Sequence, residues 1–155
     1  MRFAAAALTA LLMSAPAMAQ GSQTSWTVVG IKGGAMGWEA LNMKRDAAKN
    51  TVTLTRFTYF ATPKPFGETP YSYLVQDVTF ACAEAKFMLG GAEILDISGD
   101  VVGTGEAQTA WRETRAGTPE GLLEGVACKG ITVANTKAYR EAADAMIAAV
   151  SMALP

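Results

Sequence analysis

From Trp26 to Cys82 apolar and polar residues alternate in short runs separated by glycine, proline and asparagine, the period-two pattern of strands with a buried face. Trp26-Thr27-Val28-Val29-Gly30 reads as a first strand, closed by the glycines of Gly30-Ile31-Lys32-Gly33-Gly34, and Ala35 to Leu41, carrying Trp38, as a second. The polar run Asn42 to Asn50 predicts a turn, with a helical twist at Ala47-Ala48-Lys49 as one option. Thr51 to Phe60 has the strongest strand signal, β-branched or aromatic at most positions. Its apolar phase changes, with Val52 and Leu54 on even positions and Phe57 and Tyr59 on odd ones. That predicts either a bulge near Arg56 or a switch between one and two buried faces. Ala61 to Pro70 holds Pro63, Pro65, Gly67 and Pro70 and reads as a loop, because proline cannot donate to a central ladder. About ten residues is long for a hairpin connection, which makes Lys64, Phe66 and Glu68 the candidate interaction residues.

Tyr71 to Cys82 is the strand around which the rest is arranged, with Val78, Phe80 and Cys82 on one face. Ala83 to Leu89 is expected to continue it through a bend, followed by a turn at Gly90-Gly91, a strand from Ala92 to Ile97, a turn at Ser98-Gly99-Asp100 and a strand at Val101-Val102. Thr118-Pro119-Glu120 then sets a threonine N-cap, a proline in the first helical position and an acid in the first turn, opening a short helix towards Cys128 with Leu122, Leu123 and Val126 on one side. Asn135 or Thr136 is placed to cap a C-terminal helix over Lys137 to Leu154, with Tyr139, Ala143, Met146, Val150 and Leu154 along one stripe and Arg140 and Asp144 as an i,i+4 pair. The expected fold class is α+β: an antiparallel sheet of about six strands, a short helix before the second cysteine and a C-terminal helix packed on the sheet. A second copy or a partner is the alternative surface for that helix.

Residues 1–19 carry Arg2, an apolar Ala/Leu run from Phe3 to Met13 and the A-x-A triplet Ala17-Met18-Ala19, the three parts of a secretory signal peptide. The mature chain is expected to start at Gln20, as a single domain over residues 20–155, with no cysteine at the junction to take a lipid anchor and no integral membrane segment. Export decides how the two cysteines are read. In an oxidising compartment Cys82 and Cys128 have one intramolecular connectivity, a bridge closing a loop of about 47 residues that is worth roughly 4 kcal/mol in the chain-entropy model.

Arg2 is the leader's one charged residue, so the mature chain keeps all 14 acidic side chains and one fewer than the 13 basic ones of the full sequence. That near-neutrality supplies no electrostatic footprint for nucleic acid. Histidine is absent, which removes Ser-His and Cys-His nucleophile pairs and the commonest zinc ligand. Neither glycine cluster, Gly30 to Gly34 or Gly103-Thr104-Gly105, has the spacing or the following helix of a nucleotide loop.

Trp26 near the mature start, Met43-Lys44-Arg45 before a β-rich strand, Tyr71-x-Tyr73 leading to Phe80-x-Cys82, Trp111, and Thr118-Pro119 with a leucine-containing turn ending at Cys128 follow in an order that resembles the surface-adhesin E-like family of bacterial envelope proteins. The resemblance covers about residues 26 to 129. It implies an antiparallel sheet with a flanking helix and, for some members, attachment to host proteins. Ala81 departs from the aspartate usual in that pattern, and the strand from Val52 to Tyr59 lacks its usual tryptophan. The expected function is an exported, non-enzymatic binding protein of the cell envelope, periplasmic or at the cell surface, with a protein partner and without catalytic, cofactor or metal residues. The alternative is an envelope structural or assembly factor acting through its C-terminal helix.

Overall fold

The computed structural model describes residues 25–153, so the signal peptide expected at 1–19, most of the polar lead and Leu154 lie outside the described residues. Strands β1 (Trp26–Ile31), β2 (Gly34–Glu39), β3 (Lys44–Asp46), β4 (Thr51–Phe66), β5 (Thr69–Ala81), β6 (Lys86–Leu95), β7 (Val101–Gly105), β8 (Arg112–Glu113) and β9 (Lys137–Tyr139) form one antiparallel sheet. Its order is β7-β6-β5-β4-β2-β1-β9, with β3 beside β4 and β8 beside β6. Helices α1 (Pro119–Lys129) and α2 (Ala142–Ala153) complete the fold. The sheet is therefore larger than the six strands expected from alternation. The three extra strands, β3, β8 and β9, are two or three residues long, too short for a period-two pattern to register.

The phase change in β4 has a clear cause. Pairing with β5 runs without interruption from Thr51↔Ala81 to Tyr59↔Tyr73, so there is no bulge at Arg56. What changes is the buried face. Even positions Val52 and Leu54, with Val78 and Phe80 of β5 and Met36 and Trp38 of β2, form a core under Leu123 and Ala127 of α1. Odd positions Phe57 and Tyr59, with Trp26, Val28, Ala35 and Tyr73, form a second core under Ala145 and Ala149 of α2. The two helices thus lie on opposite faces of the sheet. Gly37, opposite Phe57, makes room for the second core, since a Cβ there would stand 2.2 Å from the Phe57 ring.

Three expectations are corrected. The chain reverses directly after Cys82, not at Gly90-Gly91: Glu84 N–H bonds to the Ala81 carbonyl, Ala85 takes a left-handed φ of 51°, and β6 passes straight through the two glycines. The glycines absorb a register shift between Gln76 and Val78, a bulge that glycine permits, while the early reversal sets Phe87 across from Phe80. The C-terminal helix starts at Ala142, because Lys137–Tyr139 pairs with Trp26–Val28 and gives the outer side of the first half of β1 its backbone partners. Its buried residues are Ala145 and Ala149, with Met146 and Val150 beside them, whereas Ala143 is exposed. Small side chains let the helix sit close to the sheet. Finally, Ala61 to Pro70 is not a loop, since both strands of the hairpin run through it.

Helix α1 is capped as expected: the Thr118 hydroxyl accepts from Gly121 N–H at 3.1 Å, and Gly130 ends the helix in a left-handed conformation. Three ties hold it to the sheet. Cys82 and Cys128 form the disulfide, with Cα atoms 5.4 Å apart. Arg45 Nη2 donates to the Ala127 carbonyl at 3.0 Å, and the buried Arg56 donates to Glu120 Oε1 at 2.8 Å.

Reducing the bridge, or replacing both cysteines by serine, should lower unfolding stability by at most about 4 kcal/mol in urea titration. An unchanged midpoint would show that α1 is held without it. Glu120→Ala strands a buried guanidinium and should cost about 3 kcal/mol, while Arg56→Met combined with Glu120→Leu should recover most of that loss; equal losses in the single and double variants would contradict this account of the pair.

Candidate functional site

The outer halves of β4 and β5 form a two-stranded arm. Regular pairing breaks after Tyr59↔Tyr73 and resumes as Lys64↔Tyr71, Pro65↔Pro70 and Phe66↔Thr69, closed by Gly67 at φ 57°. No third strand pairs with the arm among the described residues: β2 ends its pairing at Phe60 and β6 at Tyr73. That is where prolines are tolerated. Pro63, Pro65 and Pro70 remove donors from strand edges that would otherwise invite another chain.

All ten residues from Ala61 to Pro70 are exposed, yet the arm has its own organisation. The Lys64 ammonium lies 5.7 Å from the centroid of the Phe60 ring, and Phe60 meets Tyr71 edge-on at the same separation. Phe66 reaches across to β7, where its ring occupies the space beside Gly103: a Cβ there would be 2.2 Å from the ring. Glu68 stands in the turn, exposed. Of the three residues expected from sequence, Lys64 is thus drawn into an aromatic cluster, Phe66 becomes the arm's anchor with 38 % of its surface exposed, and Glu68 stands apart from both.

A second feature was not anticipated. On the α1 side of the sheet, a cleft of about 540 Å³ separates β1 from the segment leading into α1. Its size is within the range of ligand pockets, roughly 300 to 1,000 Å³. Val29 and Ile31 form one wall and Pro119 and Leu122 the other, with Lys32 at the end. One cross-strand row, Val29, Met36, Thr58, Leu74, Ile94 and Gly103, joins this cleft to the place where Phe66 rests. Both features are therefore on one face. Alternation marked Val29 only as a strand residue and placed Ile31 in the glycine-rich close of that strand; their opening arises from the distant helix, which local pattern does not report.

On the opposite face, Tyr73, Ile97, Met146 and Ile147 line a smaller concavity of about 280 Å³ between α2 and the β6–β7 turn. The Tyr73 hydroxyl donates to the Met146 carbonyl at 3.3 Å, and burial first, then the neighbouring Tyr59, pushes its pKa above the usual phenol value. Among the described residues no group of three or more His, Cys, Asp or Glu side chains is arranged to hold a metal ion, and no helix is long and apolar enough to cross a membrane.

Gly103→Ala should dislodge Phe66 and raise amide hydrogen exchange in the arm, with global stability changed by no more than about 1 kcal/mol. Phe66→Ala should produce the same pattern. Arm exchange that stays at the wild-type rate in both would mean that Phe66 does not anchor it.

Searches against family models, curated proteins and solved structures return no match for this chain.

Proposed function

We propose that the chain is an exported, non-enzymatic binding protein of the bacterial cell envelope, adhesin-like in kind, and that the proline-bearing arm is its recognition element. The arm is the observation that carries this reading. Ordering ten exposed residues costs conformational entropy that burial within the chain does not repay, so contact with a partner gives the arrangement a purpose. Its composition suits protein recognition: an aromatic pair under a lysine gives a rigid contact surface with a cationic tip, and Glu68 adds a charge of opposite sign at the turn. Prolines on both edges direct recognition to side chains and away from strand pairing. The disulfide fits an oxidising compartment, in keeping with the leader read at residues 1–19. The resemblance to the surface-adhesin E-like family points the same way.

A second reading, an envelope assembly factor acting through α2, is favoured by Ile147 and Ile97, which are 67 % and 57 % exposed and line the same concavity.

Protease treatment of intact cells should remove a tag from the protein. Cells carrying the combined Lys64→Ala, Phe66→Ala and Glu68→Ala variant should lose attachment to immobilised extracellular matrix protein, whereas Ile147→Lys should leave it intact. Protection until the outer membrane is opened refutes the adhesin-like reading. Loss of envelope integrity in Ile147→Lys alone supports the second.

A further inference from the structure

The edge of the sheet at β1 is only partly covered. Backbone groups point to alternate sides along a strand, and the Ser25 carbonyl accepts from Ala40 N–H, so the odd residues of β1 bond towards β2. The even ones face outward. Trp26 and Val28 stand opposite Tyr139 and Lys137 of β9. Gly30, next in the series, has no backbone partner on its outer side among the described residues, and it is exposed. Among the described residues nothing fills this position, since just before β9 the chain turns away: Asn135 takes a φ of 58° and the Thr136 hydroxyl donates to the Val133 carbonyl at 3.2 Å.

The open stretch of edge coincides with the cleft. Val29, Gly30 and Ile31 of β1, with Lys32 in the turn that follows, form its inner wall, and Thr118, Pro119 and Leu122 stand across from them. We infer that this edge and cleft form a peptide-binding groove, in which an extended segment of another protein adds to β1 as a strand in line with β9. Gly30 supplies its N–H and C=O. Paired residues share a face of the sheet, so partner residues opposite Val29 and Ile31 direct their side chains into the cleft. The residue between them points to the other face, where Gly30 has no side chain and the Met152 carbonyl of α2 lies 3.9 Å from where a Cβ would stand.

Charge completes the specification. Lys32 is the cleft's one charged lining residue, and it has no ion-pair partner among the described residues. The groove therefore fits an apolar-x-apolar segment with a carboxylate at the Lys32 end. Unlike the arm, this stretch of edge carries no proline, so the two surfaces recognise partners by different means, side chains on the arm and backbone here. The inference stands apart from the arm's role, and either can fail alone.

The test is selection from a displayed library of random peptides of about eight residues, enough to span one strand, against the oxidised protein. Selected peptides should carry alternating apolar residues with an acid at one end. Added to isotope-labelled protein, they should shift the amide resonances of residues 29–32, 116–118 and 120–122 and slow hydrogen exchange at Gly30. Methylating the peptide's backbone nitrogens should abolish binding, and Lys32→Glu should weaken it about three-fold, the size of one exposed charge pair. Four results overturn the inference: no enrichment, shifts confined to the arm or α2, undiminished binding after methylation, or the same shifts when the protein alone is concentrated, which would assign the groove to a second copy.

Discussion

The uninterrupted register of β4 on β5 is the constraint that governs both cores and both helices. Nine consecutive pairs, Thr51↔Ala81 through Tyr59↔Tyr73, keep even and odd positions on opposite faces along the whole ladder. A slip of one residue would turn Val52 and Leu54 away from α1 and Phe57 and Tyr59 away from α2 at once. Because both faces are used, each at a different end, the register is fixed twice. The disulfide sits just beyond one end of this ladder and the arm grows from the other.

The two helices are held by different means. Helix α2 lies across β1, β2 and β4 and meets them through alanines, so its attachment is mainly close apolar contact. Helix α1 buries Leu123 and Ala127 but also relies on a covalent bridge, the Arg56–Glu120 pair and the Arg45 contact with Ala127. Arg56 is a demanding residue to bury. Among the described residues its Nε and Glu124 Oε1 have no hydrogen-bond partner, which is costly wherever water is excluded. Locating α1 through specific polar and covalent ties also fixes the outer wall of the cleft beside β1, since Pro119 and Leu122 belong to its first turn. The stability of this helix and the shape of the groove are therefore linked.

A long antiparallel sheet must manage its free edges, and this chain does so differently at each. Prolines guard the arm. A short strand, β9, covers half of β1, and β8 covers the start of β6. Among the described residues the terminal strands β7 and β9 keep unpaired outer edges, and the stretch of β1 at Gly30 is open with a cleft beside it. The contrast separates an edge made unreactive from one left available.

Much of the architecture was legible in the sequence. Alternation located β1, β2, β4, β5, β7 and the second half of β6, the Thr118-Pro119 signal gave the start of α1 to the residue, and a count of two cysteines left one bridge to form. These are local properties, carried by side-chain period, cap chemistry and cysteine count. The remainder depended on neighbours distant in the chain. Lys137–Tyr139 shares helical spacing with the residues of α2, yet it became a strand because Trp26–Val28 lacked partners. Ala61 to Pro70 reads as a loop, yet it became a ribbon because the ladder beneath it continues where no third strand has to be bonded. Lys64 and Phe66 were identifiable as exposed candidates, whereas the Phe60–Tyr71 cluster and the seat on Gly103 were not, because those partners meet only once the arm folds over the sheet. Sequence by itself determined the main stretches of the longer strands, the α1 cap and the bridge, since those preferences act over a few residues; only tertiary structure decided the short strands, the proline-bearing ribbon and which edges and faces stay open, since these depend on what the rest of the chain covers.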